Sequence, residues 1–175
     1  MLYQFERDSL TSEEADRLCH ACQTVDEKMV VWILLDTGLR ISELCSLTPQ
    51  HILWQEKALR ITGKGGSGSV KTIKRIVPMS KRAQGMLEPY FSLLEEWFIG
   101  IRQVQKIVKQ VASRAQISRP VTPYILRHTF ATLALQKGLS LTAVQKILGH
   151  DKLATTAIYL NLTDTQVSEE FEKKW

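Results

Sequence analysis

The sequence contains few cysteines, and their number is odd: Cys19, Cys22 and Cys45 are the three in a chain of 175 residues. An odd count does not suit the paired disulfide framework of a small secreted domain. Cys19 and Cys22 lie within a helical pattern, and no second pair completes a zinc site with them. We therefore expect buried, reduced thiols and no bound metal.

Long hydrophobic runs are also missing. The longest, MVVWILL at residues 29–35, is too short to cross a bilayer. No signal peptide opens the chain, and the sequence has no internal repeat or low-complexity tract. These absences predict a soluble cytoplasmic protein with no membrane partner.

The chain does have the length and apolar content of one folded domain, which we expect to cover residues 1–175. Hydrophobic residues make up 44% of it, which excludes disorder. A net charge of +5 and a sequence pI near 9.2 favour a polyanionic partner. Because the excess is small, any nucleic-acid surface is expected to be local.

Glycine is concentrated in one stretch, ITGKGGSGSVKTIKR at residues 61–75, whose composition suits phosphate binding. A nucleotide-binding Walker loop is excluded, because such a loop ends in Gly-Lys-Ser/Thr and leads into a helix. Here Val70 precedes Lys71 and Thr72, and the following IKRIVPM is typical of a strand that stops at Pro78. A glycine-rich hairpin that presents lysines remains.

Periodicity predicts an α+β fold, mostly α-helical with one small antiparallel sheet. Thr11 and Glu14 form a capping box ahead of a first helix, and a second helix, EKMVVWILLDT, runs to Gly38. The expected strands are HILWQ (51–55), ALRIT (58–62) and IKRIVPM (73–79). The remaining expected helices are 41–47, a segment from Ser80 that Pro89 breaks or kinks, 102–115, 123–138, 142–149, 153–160 and 166–175.

Several polar residues stand where an apolar pattern would not place them: Arg40, Glu43, Arg127, His150 and Tyr159. Each alone has an ordinary structural explanation. A single helical arginine is usually a solvated or salt-bridged surface group, a Gly-His pair at a helix end is usually a C-cap, and a tyrosine near a chain end usually packs. The combination is what carries information.

In chain order, TGLRISEL, the glycine-flanked Lys64, LRHTFATLALQKG, VQKILGH and TTAIYLNL resemble the catalytic-domain motifs of tyrosine recombinases of the phage integrase and Xer type. The intervals agree as well: Lys64 follows Arg40 by 24 residues, His150 follows Arg127 by 23, and Tyr159 follows His150 by nine. The resemblance spans about residues 37–161. It implies the tyrosine recombinase catalytic-domain fold and a site-specific recombinase or integrase that cleaves and rejoins DNA through a 3′-phosphotyrosyl intermediate.

The resemblance implies a phosphate clamp. Arg40 and Arg127 would hold the two non-bridging oxygens of the scissile phosphate, because a guanidinium is permanently charged and donates in a fork. His150 would donate a further hydrogen bond to the phosphate. Glu43, one helical turn after Arg40, would orient that arginine.

The same resemblance supplies a nucleophile and an acid. Tyr159 would attack the phosphate and conserve the bond energy as a phosphotyrosyl ester, so neither metal, ATP nor another cofactor is needed. Lys64, expected in the turn between the second and third strands, would protonate the departing 5′-oxygen. The loop GKGGSGSVKT is longer and richer in glycine than is usual in the family, which leaves Lys71 and Lys74 as alternatives.

One position departs from the family pattern. Where the family commonly has a histidine three residues before the second arginine, this chain has Tyr124. The i,i+3 spacing predicts that Tyr124 borders the phosphate pocket beside Arg127, but a phenol cannot act as a neutral-pH base. His128 follows the arginine and is expected to be structural and to point to a different face.

The resemblance also implies partners: double-stranded DNA and a homo-tetramer assembled on it, with no small-molecule substrate. Only about ten residues precede the first expected helix, so the N-terminal DNA-clamping domain usual in the family is expected to be absent. Two alternatives stay open. A type IB topoisomerase shares the chemistry but reseals the same strand, and a catalytically silent DNA-binding module would keep the fold alone.

Overall fold

A computed structural model describes residues 9–64, 72–93 and 99–149 of the chain. Lys71, His150, Tyr159 and the helices expected over 153–160 and 166–175 lie outside the described residues. The elements in the described part are α1 (Ser12–His20), α2 (Val25–Thr37), α3 (Ile41–Cys45), a 3₁₀ turn (Pro49–His51), β1 (Ile52–Leu53), β2 (Ala58–Lys64), β3 (Thr72–Pro78), α4 (Lys81–Leu93), α5 (Ile101–Arg114), α6 (Pro123–Gln136) and α7 (Leu141–Leu148). The expected α+β fold is confirmed.

The central element is α2, which packs against α1, α4, α5 and α6. Its residues Met29, Val30, Val31, Ile33 and Leu34 are all fully buried. A helix that is apolar around most of its circumference must lie inside the domain. Each fully buried aliphatic side chain stabilises the fold by about 1.5–3 kcal/mol relative to exposure, so this helix anchors the core.

The sheet is a three-stranded antiparallel meander in the order β1-β2-β3. In the long β2–β3 ladder, Leu59 pairs with Val77 and Ile61 pairs with Arg75. These four side chains are buried, whereas Arg60 and Lys74 on the alternate positions are exposed. Period-two alternation therefore gives the sheet one face toward the core and one toward solvent, and places an arginine on the core face.

The helix caps confirm the local sequence signals. Thr11 and Glu14 form the expected reciprocal capping box on α1, and α2 ends at Gly38. Helix α2 begins two residues earlier than expected, because Thr24 and Glu27 form a second capping box. Cys19 and Cys22 are free and buried, as predicted.

Two expectations about the middle of the chain need correction. Helix α4 continues through Pro89 to Leu93, so of the two expected outcomes, a break or a kink, the break is wrong. Strand β1 is only Ile52–Leu53, because a turn closed by a hydrogen bond from Lys57 N to Trp54 O follows it at once. In the described part of the chain, no helix has the length and apolarity that a membrane crossing requires.

Candidate active site

Arg40 is placed by the turn between α2 and α3. Helix α2 ends at Gly38, whose φ of +62° lies in the left-handed region, and a Cβ there would lie 2.4 Å from Cδ1 of Phe130. The chain can therefore reverse here only because the residue is glycine. Arg40 then stands at the start of α3 with its side chain 39% exposed.

Glu43 binds Arg40 at two points. One carboxylate oxygen accepts a hydrogen bond from the backbone N–H of Arg40 at 2.7 Å, and the other accepts from Nη1 at 3.1 Å. Because α3 has only five residues, this carboxylate is what fixes the arginine relative to its helix.

Arg127 approaches the same region from α6 and is only 6% exposed. Its Nη1 donates to the carbonyl of Gly38 at 2.6 Å, and its Nη2 donates to the carbonyl of Leu148 at 2.7 Å. The side chain thus joins the turn that carries Arg40 to the end of α7. The structure brings together the two arginines that the sequence analysis paired, although 87 residues separate them.

Three consecutive carbonyls at the end of α7 each accept a hydrogen bond from a different arginine: Ile147 from Arg75 Nε at 2.7 Å, Leu148 from Arg127 Nη2 at 2.7 Å, and Gly149 from Arg40 Nη2 at 3.4 Å. The last carbonyls of a helix lack intrahelical partners and carry the negative end of its dipole, so cations stabilise them. We call these three side chains the arginine cluster. The next residue in the chain is His150.

Arg75 is the site residue that the sequence analysis missed. Its Nη1 and Nη2 donate to the two oxygens of Glu43, each at 2.7 Å, and both side chains are 6% exposed. Glu43 therefore serves two arginines, not one. The available signal was the alternation of β3, which predicts that Arg75 lies on the same face as Val77.

The contacts of Glu43 with the two arginines lower the pKa of its carboxyl. Burial acts to raise the pKa of its carboxyl, but the hydrogen bond and charge of Arg75, followed by those of Arg40, hold the pKa below its ordinary value. The carboxylate is therefore ionised at neutral pH, as a buried acid with two cationic partners should be.

The candidate acids lie on the hairpin. Lys64 was expected in the turn between β2 and β3. It is instead the last residue of β2, paired with Thr72, and lies at the base of that turn. The difference arises because the ladder extends two pairs beyond Thr62 and Lys74. By register, the positions of Lys64 and Lys74 belong to the same face of the sheet. Strand alternation therefore does not decide which of the two lysines is the general acid.

Tyr124 and His128 form a contact that was not expected. Tyr124 is 60% exposed, whereas His128 is 2% exposed. Their rings pack edge to face, with centroids 4.1 Å apart. The expectation that His128 points to a different face is wrong, because residues four apart on a helix are neighbours. Its burial agrees with the structural role that was expected of it.

Two other kinds of ligand site are a surface cleft and a group of metal-ligating side chains. A cleft of about 240 Å³ is lined by Asp16, Asp36, Arg82 and Lys137, among others, and none of the predicted site residues that the structure describes borders it. Within the described ranges, no three histidine, cysteine, aspartate or glutamate side chains are grouped as a metal ion requires. Of the predicted site residues, Arg40 and Arg127 meet at the arginine cluster and not at the cleft.

Comparison with known proteins identifies the family to which the chain belongs. The family model described as "Phage integrase family" matches residues 8–166. The chain belongs to the phage integrase family. Tyrosine recombinase XerD of Shewanella oneidensis is 33% identical over 184 residues, which cover 93% of this chain and 59% of that protein.

Solved structures of this kind share the fold. The crystal structure of XerA recombinase superimposes with a TM-score of 0.76 at 30% identity, covering 94% of this chain and 64% of that one. The Tn1549 transposon integrase in complex with circular intermediate DNA gives a TM-score of 0.71 at 20% identity, covering 94% and 66%. This phage integrase family chain thus spans about 60% of the length of the curated relatives it matches. The predicted recombinase catalytic-domain fold is confirmed.

Proposed function

We propose that this chain is the catalytic unit of a site-specific tyrosine recombinase, which cleaves and rejoins double-stranded DNA through a 3′-phosphotyrosyl intermediate. Arg40 and Arg127 clamp the scissile phosphate, and His150 donates a further hydrogen bond to it. Tyr159 is the nucleophile and Lys64 protonates the departing 5′-oxygen. Assignment of His150, Tyr159 and Lys64 rests on the sequence match.

The observation that carries this proposal is the convergence of Arg40 and Arg127 on adjacent carbonyls, Gly149 and Leu148. Two guanidinium groups held at one point suit the two non-bridging oxygens of a phosphodiester, whose negative charge is greatest in the transition state. Arg40, with its side chain 39% exposed, can reach an external anion. Fixed donors of this kind are usually the largest contribution to such catalysis.

The chemistry requires no external energy source. The Tyr159 hydroxyl releases its proton to solvent as its oxygen attacks the phosphorus. This step forms a phosphotyrosyl ester and breaks the bond to the 5′-oxygen, which takes up a proton from Lys64. In the second step a 5′-hydroxyl attacks the ester and returns a proton to Lys64, so that the phosphodiester re-forms and the departing Tyr159 oxygen regains a proton from solvent. Two strands are exchanged without loss of a high-energy bond.

The partner that fits is DNA. The chain carries a net charge of +5, and α5 presents Arg102, Lys106 and Lys109 on its exposed side, as a polyanion-binding surface requires. The Tn1549 transposon integrase, which has the same fold, is seen with circular intermediate DNA. Exchange between two duplexes uses four cleavages, so a homo-tetramer on DNA is part of the proposal.

The test is a duplex DNA with a nick near a cleavage site, so that the short strand diffuses away after cleavage and traps the covalent complex. Candidate sites come from selecting nicked duplexes of random sequence for attachment to the protein. We expect a denaturation-resistant adduct with the wild type and none with Tyr159→Phe, which should still bind the DNA. Absence of any adduct, with DNA binding intact, would favour the silent module. On a supercoiled plasmid that carries the selected site, relaxation of supercoils without strand exchange would favour the topoisomerase.

A further inference from the structure

Arg75 is a buried charge on a strand face that otherwise contacts the core. It lies opposite Ile61 in the β2–β3 ladder and is 8% exposed. Removal of a charged group from water is costly unless its partners compensate. Arg75 donates hydrogen bonds to the two oxygens of Glu43 and to the carbonyl of Ile147.

Arg75 and Arg40 share one carboxylate but differ in access to solvent. The Arg75 side chain is 6% exposed and the Arg40 side chain 39% exposed. Arg75 also forms the tighter pair, since it binds both oxygens of Glu43 at 2.7 Å, whereas the Arg40 guanidinium binds one at 3.1 Å. An external phosphate therefore meets Arg40, whereas the charge of Arg75 is matched in the interior by the Glu43 carboxylate. The similarly buried Arg127 differs from Arg75, because the backbone carbonyls to which it donates are neutral.

We propose that Arg75 is a positioning residue that neutralises the Glu43 carboxylate and thereby leaves the charge of Arg40 available to the phosphate. The inference rests on the proposed role of Arg40 as a phosphate clamp. With Arg75 present, the two arginines and one carboxylate carry one net positive charge. Without Arg75, Glu43 would neutralise Arg40 itself and draw its guanidinium inward.

The packing around Arg75 supports a fixed position. A Cβ at Gly149 would lie 2.8 Å from Cδ and 3.2 Å from Nε of Arg75, so the arginine lies directly against the residue that precedes His150. The Arg75 side chain thus joins β3, the second strand of the hairpin that carries the candidate lysines, to α3 and to the end of α7.

The charge-balance role makes a prediction that simple packing does not. Arg75→Gln should weaken phosphate binding at Arg40 by at least about tenfold, since one unit of nearby positive charge is lost. The double variant Arg75→Gln/Glu43→Gln removes both charges and should recover part of that loss, although Arg40 is then held less firmly. A residue that only fills space would give a double variant at least as impaired as the single one.

The experiment is a titration of the protein with inorganic phosphate, followed by the ¹⁵Nε resonance of Arg40. Arg114→Gln is the matched control, because Arg114 carries the same charge and forms an ion pair with Glu27, which lies at the opposite end of α2 from Gly38. We expect the control to bind within about threefold of wild type, Arg75→Gln to bind at least about tenfold more weakly, and the double variant to bind at least about threefold more tightly than Arg75→Gln.

Three results would overturn the inference: Arg75→Gln with near wild-type affinity, a double variant no better than the single one, or a wild type whose Arg40 resonance does not respond to phosphate. If Arg75→Gln does not fold, Arg75→Lys decides, because it keeps the charge and should bind phosphate within about threefold of wild type. A tenfold loss in the folded lysine variant would contradict charge balance. If phosphate binding follows the expected order but no DNA adduct forms, only the proposed function fails.

Discussion

Glu43 on α3 and Arg75 on β3 form a buried, two-point ion pair with both hydrogen bonds at 2.7 Å. This pair connects the small sheet to α3, the helix that directly follows Arg40. The same carboxylate holds the backbone and guanidinium of Arg40. The sheet, which carries the candidate general acid, is therefore joined rigidly to the candidate phosphate clamp.

The end of α7 should be sensitive to a single added methyl group. Gly149 has a φ of +67°, and a Cβ there would contact Arg75 at 2.8 Å; Gly138 has a φ of +89° but nothing within 4 Å. Gly138→Ala should cost about 1–2 kcal/mol of unfolding free energy through backbone strain. Gly149→Ala should cost about 1–3 kcal/mol more through overpacking. Denaturant unfolding measures both, and equal losses would show that Arg75 does not lie against Gly149.

The two clamp arginines should differ in their effect on stability but not on cleavage. Arg40→Ala and Arg127→Ala should each slow single-turnover cleavage by about 10²–10³-fold, because each removes a donor aimed at the transition state. Arg127→Ala should in addition lower the unfolding free energy by about 1–3 kcal/mol, since its carbonyl partners at Gly38 and Leu148 lose their donors. Arg17→Ala, at an exposed position of α1, is the control and should change neither the cleavage rate nor the unfolding free energy appreciably. Cleavage within a few-fold of wild type in either variant would remove that arginine from the clamp.

The general acid can be identified by changing the leaving group. Lys64→Ala should cleave slowly on ordinary DNA and should be selectively rescued when the departing 5′-oxygen is replaced by sulfur, because a thiolate leaves without a proton. Lys74→Ala is the matched control on the paired strand and should need no rescue. Rescue of Lys74→Ala in place of Lys64→Ala would move the acid to β3.

Tyr124 tests the position where this chain departs from its family. Its exposed ring packs against His128, and a phenol there can offer one hydrogen bond but no base near pH 7. We expect Tyr124→His to cleave at least as fast as wild type, and Tyr124→Phe to be slower by roughly the value of one hydrogen bond, about 1 kcal/mol. Single-turnover rates decide. A fast phenylalanine variant with an impaired histidine variant would show that the ring serves only packing.

Features with local causes could be predicted from the sequence. The Thr11–Glu14 capping box, the turn at Gly38 and the alternating strands each depend on residues within a few positions of one another. These local signals predicted most of the helices and the two longer strands. The family motifs then pointed to Arg40 and Arg127, whose meeting across 87 residues the structure shows.

The contacts that were missed are long-range or depend on a face. Glu43 and Arg75 are 32 residues apart, and no local rule pairs a helix carboxylate with a strand arginine. Only the position of Arg75 on the core face of β3 hinted that it needed a buried partner. The Tyr124–His128 contact was predictable from i,i+4 spacing, but the sequence analysis assigned His128 to another face.

The most direct test of the recombinase assignment is to map the protein–DNA bond itself. The adduct formed on the nicked duplex is digested with protease and nuclease, and the peptide that carries the nucleotide is identified by mass spectrometry. The proposal predicts a 3′-phosphotyrosyl link on Tyr159, within the segment TTAIYLNL. A link on Tyr124 or on any other residue, or a link through a 5′-phosphate, would contradict it.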